Sequence, residues 1–491
     1  MPTLIKFYYP YFNVLKRLCL SDYLSMLRDH FNVRVVKELM IGFDYGTSNC
    51  SVAKMHNGQP EILQLVNGSK TIASNLYAPD RDIICHWLCQ QLSSKQQKIF
   101  KGIRAPQLQK SQRALRELTF DGIDTELIFG QAALDKYLED PEEGYYIKSP
   151  KSFLGASGLA PMQIQLFEDM VAVMMSNVKT LTEAKLGHTV EKTVIGRPIN
   201  FQGLNGEESN RQAIEVLTNA AKRVGFKEVE FQFEPVAAGF EFEASLTKET
   251  KVLVVDIGGG TSDCSMLLMG PKLKENNCRL EHLLAHSGVR IAGNDFDIQL
   301  ALQGIMPSLG MNGLLKTGKT LPTSSFFQAL AINNINAQTE FYSAKNRRDL
   351  IQLSRDAKES NIVERLVTVH DHKLSYQLVN AAEQAKIALS EYNQQTIDLH
   401  DVCEQLSVDV NRETLRLANK RTLRSIGELM HSAVAQAQCQ PDVIFVTGGT
   451  AKSPILSEFL QQQMPNIPIV VGDHFGSVTA GLARWAERIY R

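Results

Sequence analysis

Two stretches of the chain hold the residue types from which a phosphate site is made, and they nearly repeat each other. They are "FDYGTSNCS" at residues 43–51 and "VDIGGGTSDCS" at residues 255–265. Each is an apolar run, an Asp, glycine, and then Gly-Thr-Ser-Asn/Asp-Cys-Ser. A strand that ends in Asp and reverses through glycine aims successive backbone N–H groups at one point, a nest for an anion. The hydroxyls of Thr47, Ser48 and Thr261 add donors, while Asp44 and Asp256 face the same point as acceptors for a hydrated cation. One such turn is an ordinary hairpin. Two matched copies facing one another would hold a polyphosphate from both sides, with Mg²⁺ between the carboxylates.

The elements that must position these turns alternate strand with helix from Met40 onward, the pattern of an α/β protein. Strands are expected at "MIGFDYG", "CSVAKM", "PEILQLV", "KTVIGRP", "KVLVVDIG", "CSMLLM" and "DVIFVTGG". Helical spacing marks "NRQAIEVLTNAAKRVGF", ending at Gly225, then "VNAAEQAKIALSEY" and "ETLRLANKRTLRSIGELMHSAVAQA". Residues 81–125 and 305–365 are less periodic and richer in Gln, Ser, Lys and Arg, which reads as peripheral insertion. The Asp-Gly-Thr turn therefore opens each of two halves, a domain duplication rather than a short-period repeat.

At 491 residues, 44% hydrophobic and 21% charged, the chain suits a multi-domain globular protein. The net charge of -1 offers no overall basic field for nucleic acid or an anionic membrane. No apolar run is long enough to span a bilayer. The 8 cysteines are scattered, as reduced cytosolic thiols are. The one cluster, Cys85-His86-Trp87-Leu88-Cys89, supplies three ligands at most and reads as helix-facing cysteines. The segment "GLLKTGKT" at 313–320 fits a P-loop letter for letter. It lacks a strand before it and a helix after it, so it reads as a flexible basic loop. Residues 1–39 form a mixed extension ahead of Met40, with no small-residue cleavage site.

Five motifs in order resemble the actin–hexokinase superfamily, and within it the ATPase half of DnaK-type heat-shock chaperones, nearest its bacterial YegD-type branch. They are "IGFDYGTSN", "SPKSFLG", "FEPVAAGFEFE", "VVDIGGGTSDCS" and "VTGGTAKSP"; "AGNDFD" and "AAEQAKIALS" fit the outer lobe. The match runs from about Met40 to the C-terminus. It implies a duplicated actin-like ATPase fold, two lobes each with a mixed β-sheet flanked by helices, and a nucleotide in the cleft between them. Residues 40–250 would form lobe I, with an insertion at about 80–160, and 251–474 lobe II, peripheral at about 291–400. Residues 475–491 would return to lobe I as a helix, with no peptide-binding domain after it.

The resemblance also implies site roles for an ATP/ADP and Mg²⁺ site. Asp44 and Asp256 would hold the hydrated ion. Gly46, Thr47, Ser48, Gly258, Gly259, Gly260 and Thr261 would bind phosphates. Lys151, Glu234, Asp263 and Thr261 would serve the γ-phosphoryl group. Glu383, Lys386, Ser390, Gly448, Gly449 and Lys452 would grip the nucleoside, with Lys452 where relatives commonly carry arginine. Pro198 and Arg211 resemble the relay to a peptide-binding domain, across a longer spacer. The expected protein is a cytoplasmic monomeric chaperone-like ATPase of the stress response, slow in hydrolysis. Its partners would be unfolded proteins or a co-chaperone, with no nucleic acid and no membrane. An actin-like ATP-dependent scaffold and a small-molecule kinase of the same superfamily are the alternatives.

Overall fold

The computed structural model describes residues 39–201, 206–273, 282–472 and 476–490. The expected extension ahead of Met40 falls outside them, except for Leu39. Strands with buried, β-branched and aromatic runs assemble two main sheets. The first contains β1 (Met40–Tyr45), β2 (Asn49–His56), β3 (Gln59–Ile62), β4 (Lys192–Arg197) and β5 (Glu228–Phe233), in the order β3-β2-β1-β4-β5. The second contains β6 (Thr250–Ile257), β7 (Ser262–Met269), β8 (Leu283–Val289), β9 (Val443–Thr447) and β10 (Ile469–Val471), in the order β8-β7-β6-β9-β10. The two orders are the same architecture twice. In each, an antiparallel hairpin leads into two further strands that run parallel to its first strand. The fold is mixed α/β, as the strand–helix alternation requires.

Each sheet has its own core on one face. A third core lies on the other faces, where α2 (Glu234–Glu243) and α5 (Ser477–Tyr490) pack together around Val194, Val252, Leu482 and Trp485. Glycine makes that contact possible. A Cβ at Gly42 of β1 would lie 2.3 Å from the Ala483 nitrogen, and one at Gly481 would lie 1.7 Å from the Ala237 carbonyl oxygen. Here α5 covers β1 and β2 directly, and it is one of the walls against which the first hairpin is built.

Several elements differ from the sequence expectation for stated reasons. Residues 81–125 are largely helical, with Ile83–Gln91, Ser94–Ile103 and Ala105–Phe120 contributing Ile84, Leu88 and Phe100 to the core. The long helix expected around residues 413–437 is two, Arg412–Ala418 and Lys420–Ala437. The break falls at buried Asn419, whose amide donates to the carbonyls of Leu415 and Phe296. The strand expected over "PEILQLV" stops at Ile62. Segment 313–320 is strapped down rather than flexible. Leu315 N–H donates to Lys319, and Lys316 and Lys358 exchange backbone bonds with Asp356 and Leu314. Cys85 and Cys89 lie one turn apart on the buried face of their helix.

Candidate nucleotide site

The two glycine turns meet tip to tip. A Cβ on Gly259 would lie 1.9 Å from Ser48 Oγ, and one on Gly260 would lie 2.8 Å from Thr47 Cγ2. Only glycine allows the second turn to approach the Thr-Ser tip of the first so closely. Gly448 adds a third wall at φ +90°, where a Cβ would lie 2.2 Å from the Ile257 carbonyl oxygen. These turns form one side of a cleft of about 370 Å³, within the usual size of a small-ligand site.

At its floor sit charged groups that folding has stripped of water. Asp44 is the penultimate residue of β1 and Asp256 that of β6. Glu234 is the first residue of α2, where the helix dipole favours a carboxylate. Lys151 lies in the 3₁₀ turn Pro150–Phe153, only 4% exposed, and donates to Glu234 Oε1 at 2.6 Å. Asp263 of β7 accepts the Ile199 N–H at 2.9 Å. It has room because its cross-strand neighbour is Gly288, whose Cβ would lie 2.4 Å from the carboxylate.

Four carboxylates therefore surround one lysine. Burial pushes Asp44 and Asp263 up to about 7, with Glu234 adding to the shift and Lys151 opposing it. Asp256 is raised well above the ordinary range, by burial first and by its acidic neighbours second. Burial works against the Lys151 charge, but Glu234 and Asp44 outweigh it and hold that lysine protonated. A floor with this surplus of negative charge fits a bound cation, which would relieve the cost of ionising the carboxylates. Among the described residues no three His, Cys, Asp or Glu side chains are grouped to hold a metal ion.

At the outer end, α4 (Ser375–Ala388) presents Glu383, Lys386 and Ile387, followed by Ser390. The simple alternative, a surface pair between Glu383 and Lys386, does not form. Glu383 accepts from Lys148 at 2.5 Å, and Lys386 pairs with Asp297 of α3 (Gly293–Leu300) at 2.6 Å. Burial raises Glu383, but Lys148 and Lys386 outweigh it and leave its carboxyl below the usual range. Burial lifts Asp297 to about 6 against the pull of Lys386. Beside this bridge Tyr376 sits edge-on to the stacked pair Tyr137–Tyr146, at 5.6 and 5.2 Å.

Most of the residues expected from sequence line this one cleft: Asp44, Gly46, Thr47, Ser48, Glu234, Asp256, Gly258, Gly259, Thr261, Glu383, Lys386, Ser390, Gly448, Gly449 and Lys452. Lys151 and Asp263 lie beneath its surface, and Gly260 sits against Thr47. Pro198 is buried next to Ile199, whereas Arg211 is exposed on helix Glu207–Arg223. Sequence reasoning missed Ile387, half exposed and lining the same cleft as Lys452. Its position directly after Lys386 was the available signal. It also missed Ser51, Asn294 and Val478, which reach the cleft from β2, α3 and α5.

Comparison with known proteins agrees with this geometry. The family model described as Hsp70 protein matches residues 160–302. The chaperone protein DnaK of Mesomycoplasma hyopneumoniae is 24% identical over 438 residues, covering 88% of this chain and 56% of that protein. The DnaK of Ureaplasma urealyticum is 23% identical over 443 residues, covering 87% and 55%. That of Mycoplasmopsis agalactiae is 28% identical over 269 residues, covering 54% and 35%. The chain thus spans about half the length, or less, of the curated relatives it matches. Among the described residues no helix is long and apolar enough to cross a membrane. With the motifs in family order and relatives aligned along most of its length, the chain is similar to the Hsp70 family, and within it to the DnaK-type members.

Proposed function

We propose that this chain binds ATP with Mg²⁺ in the cleft and hydrolyses it slowly to ADP and phosphate, as the ATPase unit of a chaperone. The observation that carries the reading is the meeting of two glycine turns over a floor of four carboxylates and one lysine, in which Asp256, Asp263 and Lys151 are buried and Asp44 and Glu234 partly face the cleft. The backbone N–H groups of Gly46, Thr47 and Ser48 on one side, and of Gly258, Gly259, Gly260 and Thr261 on the other, would hold phosphate oxygens. Asp44 and Asp256 would hold the ion through water. When bound, that ion would offset charge on the phosphate oxygens. Lys151, kept protonated by Glu234, would lie against the γ-phosphoryl group. Glu234 and Asp263 would orient the attacking water, with Thr261 beside Asp263. This is catalysis by position and electrostatics, which suffices for phosphoryl transfer.

Glu383, Lys386, Ser390, Gly448, Gly449 and Lys452 would hold the nucleoside, with Ile387 as an apolar face for the base. We take residues 40–250 and 251–474 as the two lobes, and α5 as the return to the first. Unfolded proteins or a co-chaperone would be the partners of a monomer acting in the cytoplasm.

The test is ATP binding and single-turnover hydrolysis with Mg²⁺, wild type beside Lys151→Ala. Hydrolysis in the wild type that is lost in the variant, with binding kept, is the expected result. Absence of binding in both proteins would remove the proposal. Binding without turnover in the wild type would leave a nucleotide-sensing clamp in its place.

A further inference from the structure

We propose that the two-helix projection formed by Ser94–Ile103 and Ala105–Phe120 docks this protein on an anionic lipid surface. The near-zero net charge conceals a local excess. Between Asp82 and Glu117 the chain carries seven Lys and Arg and no Asp or Glu. Six of them fall into two trios at intervals of three: Lys95, Lys98 and Lys101 on the first helix, and Lys110, Arg113 and Arg116 on the second. All six are exposed, and none meets a carboxylate at ion-pair distance among the described residues. At 3.6 residues per turn each trio centres on the side of its helix away from the buried positions, Phe100 on the first and Ser111 and Ala114 on the second.

The seventh cation shows how the projection is held. Arg104, at the joint between the helices, turns inward and bonds Asp169 at 3.0 Å and Glu168 at 2.9 Å. Its guanidinium lies over the Phe100 ring. The outward cations are therefore presented by a fixed platform.

Two exposed apolar side chains flank the Lys95 edge of the trio, between it and the buried Phe100 side: Ile99, 59% exposed, and Ile103, 52% exposed. This mixture selects the occupant. Lys and Arg beside exposed aliphatic groups is the chemistry of an interfacial helix, whose cations meet headgroup phosphates while its apolar side chains enter the acyl boundary. A nucleic acid would satisfy the cations but leave both isoleucines without a counterpart. The surface ends where Glu117 and Asp121 begin, so exposed Phe120, flanked by both, stands at its margin.

The experiment is co-sedimentation of the full chain with vesicles of phosphatidylcholine, alone or mixed with phosphatidylglycerol, at low and at raised salt. Binding is expected only with phosphatidylglycerol present, and it should weaken as salt rises. Each cation near such a surface changes partitioning by about five-fold, so Lys98→Glu with Arg113→Glu should lower it at least 25-fold, roughly. Ile99→Ser with Ile103→Ser should lower it roughly ten-fold while the salt dependence stays. These side chains are exposed and outside the nucleotide cleft, so melting temperature and ATP binding should match wild type and verify the fold. Equal binding to phosphatidylcholine alone, no binding to the mixed vesicles, or full binding by the charge variant would each overturn the proposal. So would capture by duplex nucleic acid from protein that ignores the vesicles.

Discussion

The two turns look like copies in sequence, yet the structure pairs their residues differently. In the first hairpin Asp44 lies across the ladder from Ser51; in the second, Asp256 lies across from Asp263. The shared letters Thr-Ser-Asn/Asp-Cys-Ser are offset by the two extra glycines, so Ser51, not Asn49, occupies the place of Asp263. At that place one hairpin has a hydroxyl bonded to Thr479 of α5, and the other has a carboxylate bonded to the Ile199 N–H. Both copies carry the Asp proposed above to face the cation. Divergence then put the second acid in one copy alone, and gave the other the tie to the C-terminal helix.

That asymmetry breaks most sharply at Asp263. Asp263→Asn preserves shape and the Ile199 bond but removes the group proposed to orient water. Single-turnover hydrolysis should fall about 10²- to 10⁴-fold, the range for a lost acid–base group, with ATP affinity within about ten-fold of wild type. An equal loss in Ser51→Ala would show that the two places do the same job and defeat the comparison.

The second effect is a pH dependence. Asp263 has its carboxyl raised from 3.8 to about 7, chiefly by burial. The folded protein holds this proton more tightly than the unfolded chain does, so its contribution is full below pH 3.8 and is lost as pH climbs through 7. At about 1.4 kcal/mol per unit, that loss is at most about 4 kcal/mol. Denaturation midpoints of the metal-free, nucleotide-free protein should therefore decline from pH 5 to 8. Asp263→Asn should flatten the decline without abolishing it, because Asp44 and Asp256 shift in the same direction. A slope identical to wild type would place the proton elsewhere.

Next in size is the contact between the tips. Gly259→Ala drives a methyl group onto Ser48 Oγ, and overpacking of this kind costs about 1–3 kcal/mol. ATP affinity, measured by calorimetry, should fall roughly 5- to 150-fold. Adding Ser48→Gly removes the obstructing hydroxymethyl and should restore part of it. A double variant no better than Gly259→Ala would mean that the turns do not constrain each other.

What could be read in the sequence divides along physical lines. The paired turns were legible because their chemistry is local, an Asp near a strand end followed by glycines; Lys151, Glu234 and the Gly448 loop were reached only through the resemblance, since a single lysine, a helix-start glutamate or a glycine pair carries no such local signal. Most strands of the two sheets were legible because buried strands have apolar runs, whereas their order in each sheet is set by pairings between distant segments. The partners were not. Nothing local in "AAEQAKIALS" shows that Glu383 turns to Lys148 rather than to Lys386, since that choice is made by an element more than two hundred residues away. The helices in 81–125 were obscured because three short helices, two of them coated with Gln and Lys, dilute the apolar period that marks one long helix. Asn419 reads as an ordinary helical residue until its amide finds Phe296.

The smallest effect tests the structural half of the comparison. Ser51 lines the cleft, so its hydroxyl is close enough to be suspected of a role in the chemistry. Its bond to Thr479 argues against one, because both groups are buried and each satisfies the other. Ser51→Ala leaves the Thr479 hydroxyl without that partner, at a cost of about 1–2 kcal/mol. Removing both hydroxyls with Ser51→Ala and Thr479→Val eliminates the unmet group, so the double variant should be more stable than the single one. Hydrolysis should stay within roughly three-fold of wild type in both, since under a kcal/mol separates them at the transition state. If Ser51→Ala melted like wild type but lost turnover, the hydroxyl would belong to the reaction, and the two hairpins would share the chemistry after all.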